Sequence, residues 1–113
     1  MALPDVRIQK MIDRFLTVLQ ESVSVKAVYL FGSFARGNAG EFSDIDLAVI
    51  SPVFEKMKPF ERLVFLGRVA WEAGTPRIEA IGFTPREFAS SSRLAFPSEI
   101  KEKGIAMNIP RAA

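Results

Sequence analysis

Apolar residues in the first part of the chain recur at steps of three and four, with charged and polar residues between them. This spacing predicts an amphipathic helix over about residues 4–22. Pro4 suits its first turn, because a backbone N–H is not needed there. The apolar side of this predicted helix carries Ile8, Met11, Ile12, Phe15, Val18 and Leu19.

Two short segments with strand character follow. Residues 25–31 are almost continuously apolar and rich in strand formers, which predicts a strand that is covered on both faces and ends at Gly32. Residues 43–50 form the second predicted strand, and its two faces differ. The first face is apolar throughout and carries Ile45, Leu47 and Val49. The second face changes from charged to apolar along the strand and carries Asp44, Asp46, Ala48 and Ile50.

The second half of the chain alternates between helix and strand patterns again. Residues 59–71 begin with a proline and predict a helix whose apolar residues surround much of its circumference, so we expect it to be well buried. Residues 77–83 predict a third strand, and residues 84–87 have the sequence of a capping box, which predicts a short helix after it. Residues 98–103 predict a last helical segment, followed by an edge strand over residues 105–109.

This alternation predicts an α/β (α+β) fold, in which helices pack on a small mixed β-sheet. The chain has 113 residues and shows no internal repeat, low-complexity tract or linker. We therefore expect residues 1–113 to form a single domain.

Composition removes several chemistries from consideration. The chain contains no cysteine and no histidine, which excludes disulfides, Cys/His zinc sites and catalytic triads that use these residues. The formal net charge is only +2 and no basic run is present, so the sequence gives no support for nucleic acid as a partner. The N-terminal segment resembles neither a signal peptide nor a membrane helix, and we expect a cytoplasmic protein.

Gly32 and Ser33 directly follow the first predicted strand. Glycine lets the backbone approach a ligand, and the serine hydroxyl and nearby amides can point at phosphate oxygens. A helical turn over residues 34–37 would direct further N–H groups at the same anion. A plain turn between strands has the same sequence, so this pair alone leaves both interpretations open.

Asp44 and Asp46 lie two residues apart on the second predicted strand. Their side chains emerge on one face, at most about 6–7 Å apart. At an effective dielectric constant near 20, two charges at that separation repel by roughly 2.5 kcal/mol. A divalent cation with hard oxygen ligands, such as magnesium, would offset this repulsion. A solvated rim, where water and distant lysines screen the two charges, is the alternative interpretation.

Glu79 is the third candidate carboxylate. If the third strand lies beside the second, Glu79 is next to the aspartate pair, and three acids can hold two metal ions for an in-line displacement at phosphorus. An Arg77–Glu79 pair on the strand surface is the alternative.

These features occur together in one stretch of the chain. It reads GSFARG over residues 32–37, then five residues, then SDIDL over residues 43–47. This pattern resembles the signature of the minimal nucleotidyltransferases, a branch of the DNA polymerase beta superfamily. The predicted order of elements over residues 4–90 is similar to the nucleotidyltransferase fold of that family.

The resemblance implies transfer of a nucleoside monophosphate, AMP by preference, from ATP or another nucleoside triphosphate. It implies that Gly32 and Ser33 contact the phosphates and that Asp44 and Asp46 are ligands of Mg²⁺, with two ions in the active form. The third acid of the family, usually an aspartate, falls at Glu79.

Three basic residues are further candidates for contact with a triphosphate. Arg36 belongs to the motif and is expected either to steady the triphosphate or to clamp the loop by packing over it. For Lys101 and Lys103, near the end of the chain, a solvated helix surface is the favoured interpretation over a role in the site.

The resemblance also implies a partner. Members of this branch are commonly encoded beside a HEPN-domain toxin and act as its antitoxin, so a partner protein is the expected acceptor. The apolar surplus and an edge strand also favour a homodimer or a complex. A catalytically inactive module that only binds a nucleotide or a protein is the alternative function. A transferase acting on small molecules of the aminoglycoside type, with a pocket completed by a second subunit, is a third.

Overall fold

The computed structural model describes residues 6–40, 43–89 and 96–111. None of the helices in these three ranges is long and apolar enough to cross a membrane. In chain order the elements are α1 (Val6–Leu19), β1 (Ala27–Phe31), α2 (Gly32–Arg36), β2 (Ile45–Ile50), a 3₁₀ helix (Pro52–Lys56), α3 (Pro59–Glu72), β3 (Ile78–Phe83), α4 (Pro85–Ala89), α5 (Phe96–Lys103) and β4 (Ile105–Ala106).

The four strands form one mixed sheet in the order β3-β2-β1-β4. β1 pairs with β2 and with β4 in antiparallel fashion, whereas β2 and β3 are parallel. The parallel pair is joined through α3, which is the usual crossover for parallel neighbours. This arrangement confirms the predicted mixed α/β sheet.

Helices cover both faces of the sheet. On one face, α1 and α3 pack against the apolar side of β1 and β2, where Phe15 and Leu66 meet Leu30 and Leu47. On the other face, Ala48 and Ile50 of β2 pack with Phe88 of α4 and Ile100 of α5. The second face is the one that carries Asp46, because side chains alternate along a strand. The acidic end of β2 therefore lies on the same side of the sheet as α4 and α5.

Most predicted elements are present, and their ends differ by a few residues. α1 ends at Leu19 and not at residue 22, while the predicted start at Pro4 lies outside the described residues. β2 begins at Ile45, so Asp44 immediately precedes the strand. β4 covers only residues 105–106, because the following chain leaves β1 after the Met107 N–H bonds to the Val28 carbonyl.

The predicted capping box is confirmed at the start of α4. The Thr84 hydroxyl accepts a hydrogen bond from the Glu87 N–H at 3.1 Å, and the Glu87 carboxylate accepts one from the Thr84 N–H at 2.8 Å. These two bonds satisfy donors that a helix start leaves unpaired.

The expectation that the helix over 59–71 is well buried is wrong. Leu66, Val69 and Ala70 are buried, but the opposite side of α3 is open to solvent. The reason is the position of α3 on the outside of a small sheet, where only one side of the helix contacts the core. Its exposed apolar residues are Phe60, Leu63, Val64 and Trp71.

Arg62 connects α3 to the end of β3 and to α4. It is buried, and its guanidinium donates to the carbonyls of Met57 and Gly82 and to the Glu87 carboxylate at 2.6 Å. The hydrogen bond from Arg62 also holds the pKa of Glu87 below its ordinary value. This network holds α4 at the end of β3, on the face of the sheet that carries Asp46.

Candidate active site

The antiparallel pairing of β1 and β2 brings the two halves of the motif together. Phe31, the last residue of β1, lies opposite Asp46 near the start of β2. The chain then turns at Gly32, so the Gly32-Ser33 segment lies beside the acidic end of β2. The register of β1 and β2 thus makes the Gly32-Ser33 segment a neighbour of Asp46, although the two are more than ten residues apart in sequence.

Gly32 approaches the Asp46 carboxylate so closely that no side chain fits between them. A Cβ atom placed on Gly32 would collide with Asp46 Oδ2. The backbone φ of Gly32 is 72°, in the left-handed region that glycine tolerates best. A residue other than glycine would therefore displace either the turn or the carboxylate.

Gly32 is also the first residue of α2, which places Ser33 in the first helical turn. Phe31 at the N-cap position makes no side-chain cap, so the first N–H groups of this short helix have no capping acceptor. The predicted helical turn over residues 34–37 is present but starts two residues earlier. Gly37 ends it in the left-handed conformation, and its N–H bonds to the Ser33 carbonyl.

A cleft of about 510 Å³ opens between this turn and α5. Gly32, Ser33, Arg36, Asp44 and Asp46 all line it. Most of the residues that the motif singled out therefore surround one space.

Glu79 lies at the edge of this group. It is the partner of Asp46 in the parallel register of β2 and β3, and its side chain is exposed. The Arg77 guanidinium does not point to it but donates to the Ser43 carbonyl at 2.8 Å and lies 5.9 Å from the centre of the Phe34 ring. The structure thus brings Glu79 beside the aspartates and gives Arg77 a different partner.

The carboxylates perturb one another electrostatically. The charge of Asp44 is the main cause that raises the pKa of Glu79, and burial, the charge of Asp46 and a side-chain hydrogen bond with Asp44 act in the same direction. Partial burial, followed by the charge of Asp44, raises the pKa of Asp46, and Arg36 partly opposes this. Such mutual repulsion is the electrostatic condition under which a cation stabilises a site.

The far wall of the cleft comes from α5, for which the sequence analysis favoured a solvated surface over a role in the site. Phe96, Glu99, Ile100 and Lys103 line the cleft because their spacing places them on one side of a helix. Lys103 lies 3.7 Å from Glu99 in an exposed ion pair. The sequence analysis favoured a solvated surface for Lys103, and the side chain is indeed exposed. The sequence analysis did not predict that this side chain lines the cleft. Lys101 points elsewhere, with its ammonium 4.9 Å from the centre of the Phe88 ring.

Comparison with known proteins decides the family. The sequence profile of the nucleotidyltransferase domain family matches residues 12–106, which include both halves of the motif. The chain belongs to the nucleotidyltransferase domain family. No curated protein matches this nucleotidyltransferase domain.

Two solved structures share the fold. A candidate nucleotidyltransferase from Sulfolobus solfataricus is similar with a TM-score of 0.65 and 22% identity, over 89% of this chain and 79% of that one. A toxin–antitoxin structure with AMP-PNP is similar with a TM-score of 0.59 and 20% identity, over 87% of this chain and 70% of that one. These likenesses show that the nucleotidyltransferase domain has the fold of its family.

The donor set in the cleft suits a hard divalent cation. Within the described ranges, no group of three or more acidic, histidine or cysteine side chains is arranged to hold a metal ion by itself. Magnesium in nucleotide sites does not need such a group, since one or two carboxylates and the substrate phosphates commonly hold it. Asp44 and Asp46 supply that pair of carboxylates, and Glu79 lies within hydrogen-bonding reach of Asp44.

Proposed function

We propose that this nucleotidyltransferase domain transfers a nucleoside monophosphate, AMP from ATP, to an acceptor hydroxyl. The observation that carries the proposal is the position of the Gly32-Ser33 turn against Asp46 in one cleft. A polyphosphate bound at the turn would place its oxygens beside the carboxylates. Neither feature alone would support this function.

Each side chain of the cleft has a role in this proposal. Backbone N–H groups of Gly32 and Ser33, with the Ser33 hydroxyl, bind phosphate oxygens. Arg36 adds positive charge at the same wall of the cleft. Asp44 and Asp46 are the ligands for Mg²⁺, with two ions in the active form. Bound Mg²⁺ supplies charge neutralisation of the triphosphate.

The chain itself contributes orientation and a proton acceptor. The acceptor oxygen attacks the α-phosphorus, the bond to pyrophosphate breaks, and the proton of the hydroxyl passes to Glu79. Glu79 lies opposite Asp46 in the strand register, where a carboxylate can accept that proton. Positioning and charge compensation provide most of the acceleration in such phosphoryl chemistry.

A partner protein is the proposed acceptor. The resemblance to minimal nucleotidyltransferases suggests a HEPN-domain toxin, which this chain would modify or bind as its cytoplasmic antitoxin. The similarity to a toxin–antitoxin structure with AMP-PNP supports this choice of partner and nucleotide.

A second candidate function is an inactive binding module. Glu79 favours it, because this side chain is one methylene longer than the usual aspartate and is exposed at the rim. Small displacements of a ligand can disable a metal site. In this case the chain would bind a nucleotide or a partner without transfer.

Isothermal titration with ATP tests the nucleotide site. We expect binding that requires Mg²⁺ in the wild-type chain and is lost in an Asp44→Asn/Asp46→Asn double variant. A Glu21→Gln/Glu102→Gln variant, which removes two exposed carboxylates that do not line the cleft, is the control and should still bind. Equal binding by the wild type and the double aspartate variant, or no binding by either, would contradict the proposed site.

A further inference from the structure

The exposed side of α3 carries large apolar side chains that no described residue covers. Phe60, Leu63, Val64 and Trp71 have 64%, 57%, 50% and 77% of their surface exposed. Their spacing places them on one side of the helix, and we call this set the α3 stripe. With roughly 150–250 Å² per aromatic side chain, the stripe presents on the order of 500 Å² of apolar surface, which is large for a monomer.

The outer edge of β3 lies beside this stripe. β3 is the end strand of the sheet and pairs only with β2 among the described residues. The carbonyls of Arg77 and Phe83 bond toward β2, so the alternating residue Ala80 directs its N–H and C=O outward. Leu63 of the stripe and Ile81 of β3 line one shallow groove of about 380 Å³. The helix stripe and the strand edge are thus one continuous surface.

We propose that the α3 stripe and the outer edge of β3 form the interface between two copies of this chain. A two-fold axis brings the same helix side and the same strand edge of each copy together, so one contact covers both features. This surface is on the opposite side of α3 from the core and separate from the nucleotide cleft, and the proposal does not depend on the proposed transfer activity.

The sequence of α3 is complementary to itself under that symmetry. With the axis between Val64 and Gly67, Val64 of one helix lies opposite Gly67 of the other. Gly67 has open space where a side chain would be, so it leaves a notch for Val64. The same pairing places Phe60 against Trp71, which joins two aromatic residues of the kind that dominate interfaces.

The charges beside the stripe also match. Glu61 and Arg68 lie along one flank of α3, and in an antiparallel pair of helices this flank of one copy faces the same flank of the other. Arg68 is then offset from Glu61 of the partner copy by about two residues, or roughly 3 Å, along the helix axis. Two opposite-charge pairs form by symmetry. A partner of uniform charge would leave one of these two residues unpaired.

The available area fits a dimer of standard size. The α3 stripe alone presents on the order of 500 Å², more than half of the roughly 800 Å² per partner that specific interfaces bury, and the charged flank and the strand edge add to it. A single unpaired strand edge would invite open-ended association, whereas two-fold pairing closes it.

Light scattering after size exclusion of the 113-residue chain tests the interface. We expect a mass twice that of the 12.6 kDa chain at micromolar concentration. A Val64→Glu/Trp71→Glu variant should raise the dimer dissociation constant by about 100-fold, with unchanged helical circular dichroism, because both positions are exposed. A Thr17→Glu/Ser22→Glu variant adds the same charge at exposed positions around the end of α1 and should remain dimeric.

Cross-linking distinguishes this interface from another dimer. The natural chain has no cysteine, so Val64→Cys and Gly67→Cys each introduce a single thiol. Mild oxidation of a mixture of these two variants should link Val64→Cys chains to Gly67→Cys chains, because the proposed pairing sets the two positions opposite each other, and a mixture of Val64→Cys with Thr17→Cys should stay unlinked. A wild-type chain that is monomeric at these concentrations overturns the proposal, and so does a dimer that both survives the stripe substitutions and forms no disulfide between the Val64→Cys and Gly67→Cys chains.

Discussion

Gly32 lies so close to the Asp46 carboxylate that no additional carbon atom fits between them. The Cβ that any other residue would bring at position 32 meets the carboxylate of Asp46. The turn that is proposed to bind phosphate and the carboxylate that is proposed to bind Mg²⁺ are therefore set against each other by sterics as well as by strand register. Changes at Gly32 should act on both parts of the site.

Gly32→Ala should abolish Mg²⁺-dependent ATP binding and destabilise the fold by about 1–2 kcal/mol, because it adds a clash to a left-handed backbone. Gly37→Ala is the matched control. Gly37 has a similar φ of 79° but open space around it, so its substitution should cost about 1 kcal/mol and leave ATP binding intact. Chemical denaturation and titration calorimetry measure the two effects. Equal binding by both variants would contradict the steric account.

Glu79→Gln should lower the rate of nucleotide transfer by about 100-fold and change ATP affinity only a few-fold, since it removes the proposed proton acceptor but not the aspartate pair. Glu102→Gln, on an exposed part of α5, is the control and should leave both quantities unchanged. Single-turnover kinetics separate the rate from the affinity. A transfer rate that does not respond to Glu79→Gln would remove this residue from the mechanism.

Binding of Mg²⁺-ATP should release protons at a pH just above the range in which ordinary carboxylates titrate. Asp46 and Glu79 have pKa values above their ordinary 3.8 and 4.5, so part of each population is protonated where an ordinary carboxylate is charged. Cation binding requires the charged forms, and affinity should therefore rise as the pH increases through this window. Calorimetry in two buffers with different ionisation enthalpies counts the protons. An apparent enthalpy that is independent of the buffer would show that these groups do not titrate with binding.

Arg62→Met should destabilise the protein by about 1–3 kcal/mol, because it leaves the Gly82 carbonyl without its Arg62 donor and removes the charged partner of Glu87. Arg14→Met, at an exposed position of α1, is the control and should cost little. The lowered pKa of Glu87 contributes stability above its ordinary value of 4.5. This contribution is lost as the pH falls through the folded-state pKa, so the difference in stability between the two variants should become smaller at acid pH. Urea denaturation over a pH series checks both statements.

The sequence predicted the part of the fold that depends on local patterns. Helical spacing and strand alternation predicted α1, α3 and the three main strands to within a few residues of their observed ends. Four residues were enough to predict the capping box at Thr84. The alternation in β2 also predicted which face carries Asp46. These features depend on side-chain periodicity, which is a property of the chain itself.

Contacts between distant segments were harder to predict. The exposed side of α3 was missed because apolar residues around a helix indicate burial only if something packs on every side. The position of Lys103 at the cleft was not predicted for a similar reason, because the direction of its side chain depends on how α5 packs on the sheet. The spacing of Phe96, Ile100 and Lys103 was the available signal, although it does not say what that side of the helix faces. The Gly32 contact with Asp46 depends on a register that sequence does not encode locally.

The most direct test of the proposed function follows a label from the nucleotide to the acceptor. The wild-type chain and the Asp44→Asn/Asp46→Asn variant would be incubated with Mg²⁺ and ATP labelled at either the α- or the γ-phosphate, in the presence of cell extract and small hydroxyl compounds. The account predicts covalent transfer of the α-label that depends on addition of the wild-type chain, with no matching increase in transfer of the γ-label. Absence of α-label transfer by the wild-type chain, or equal transfer by the double variant, would contradict it.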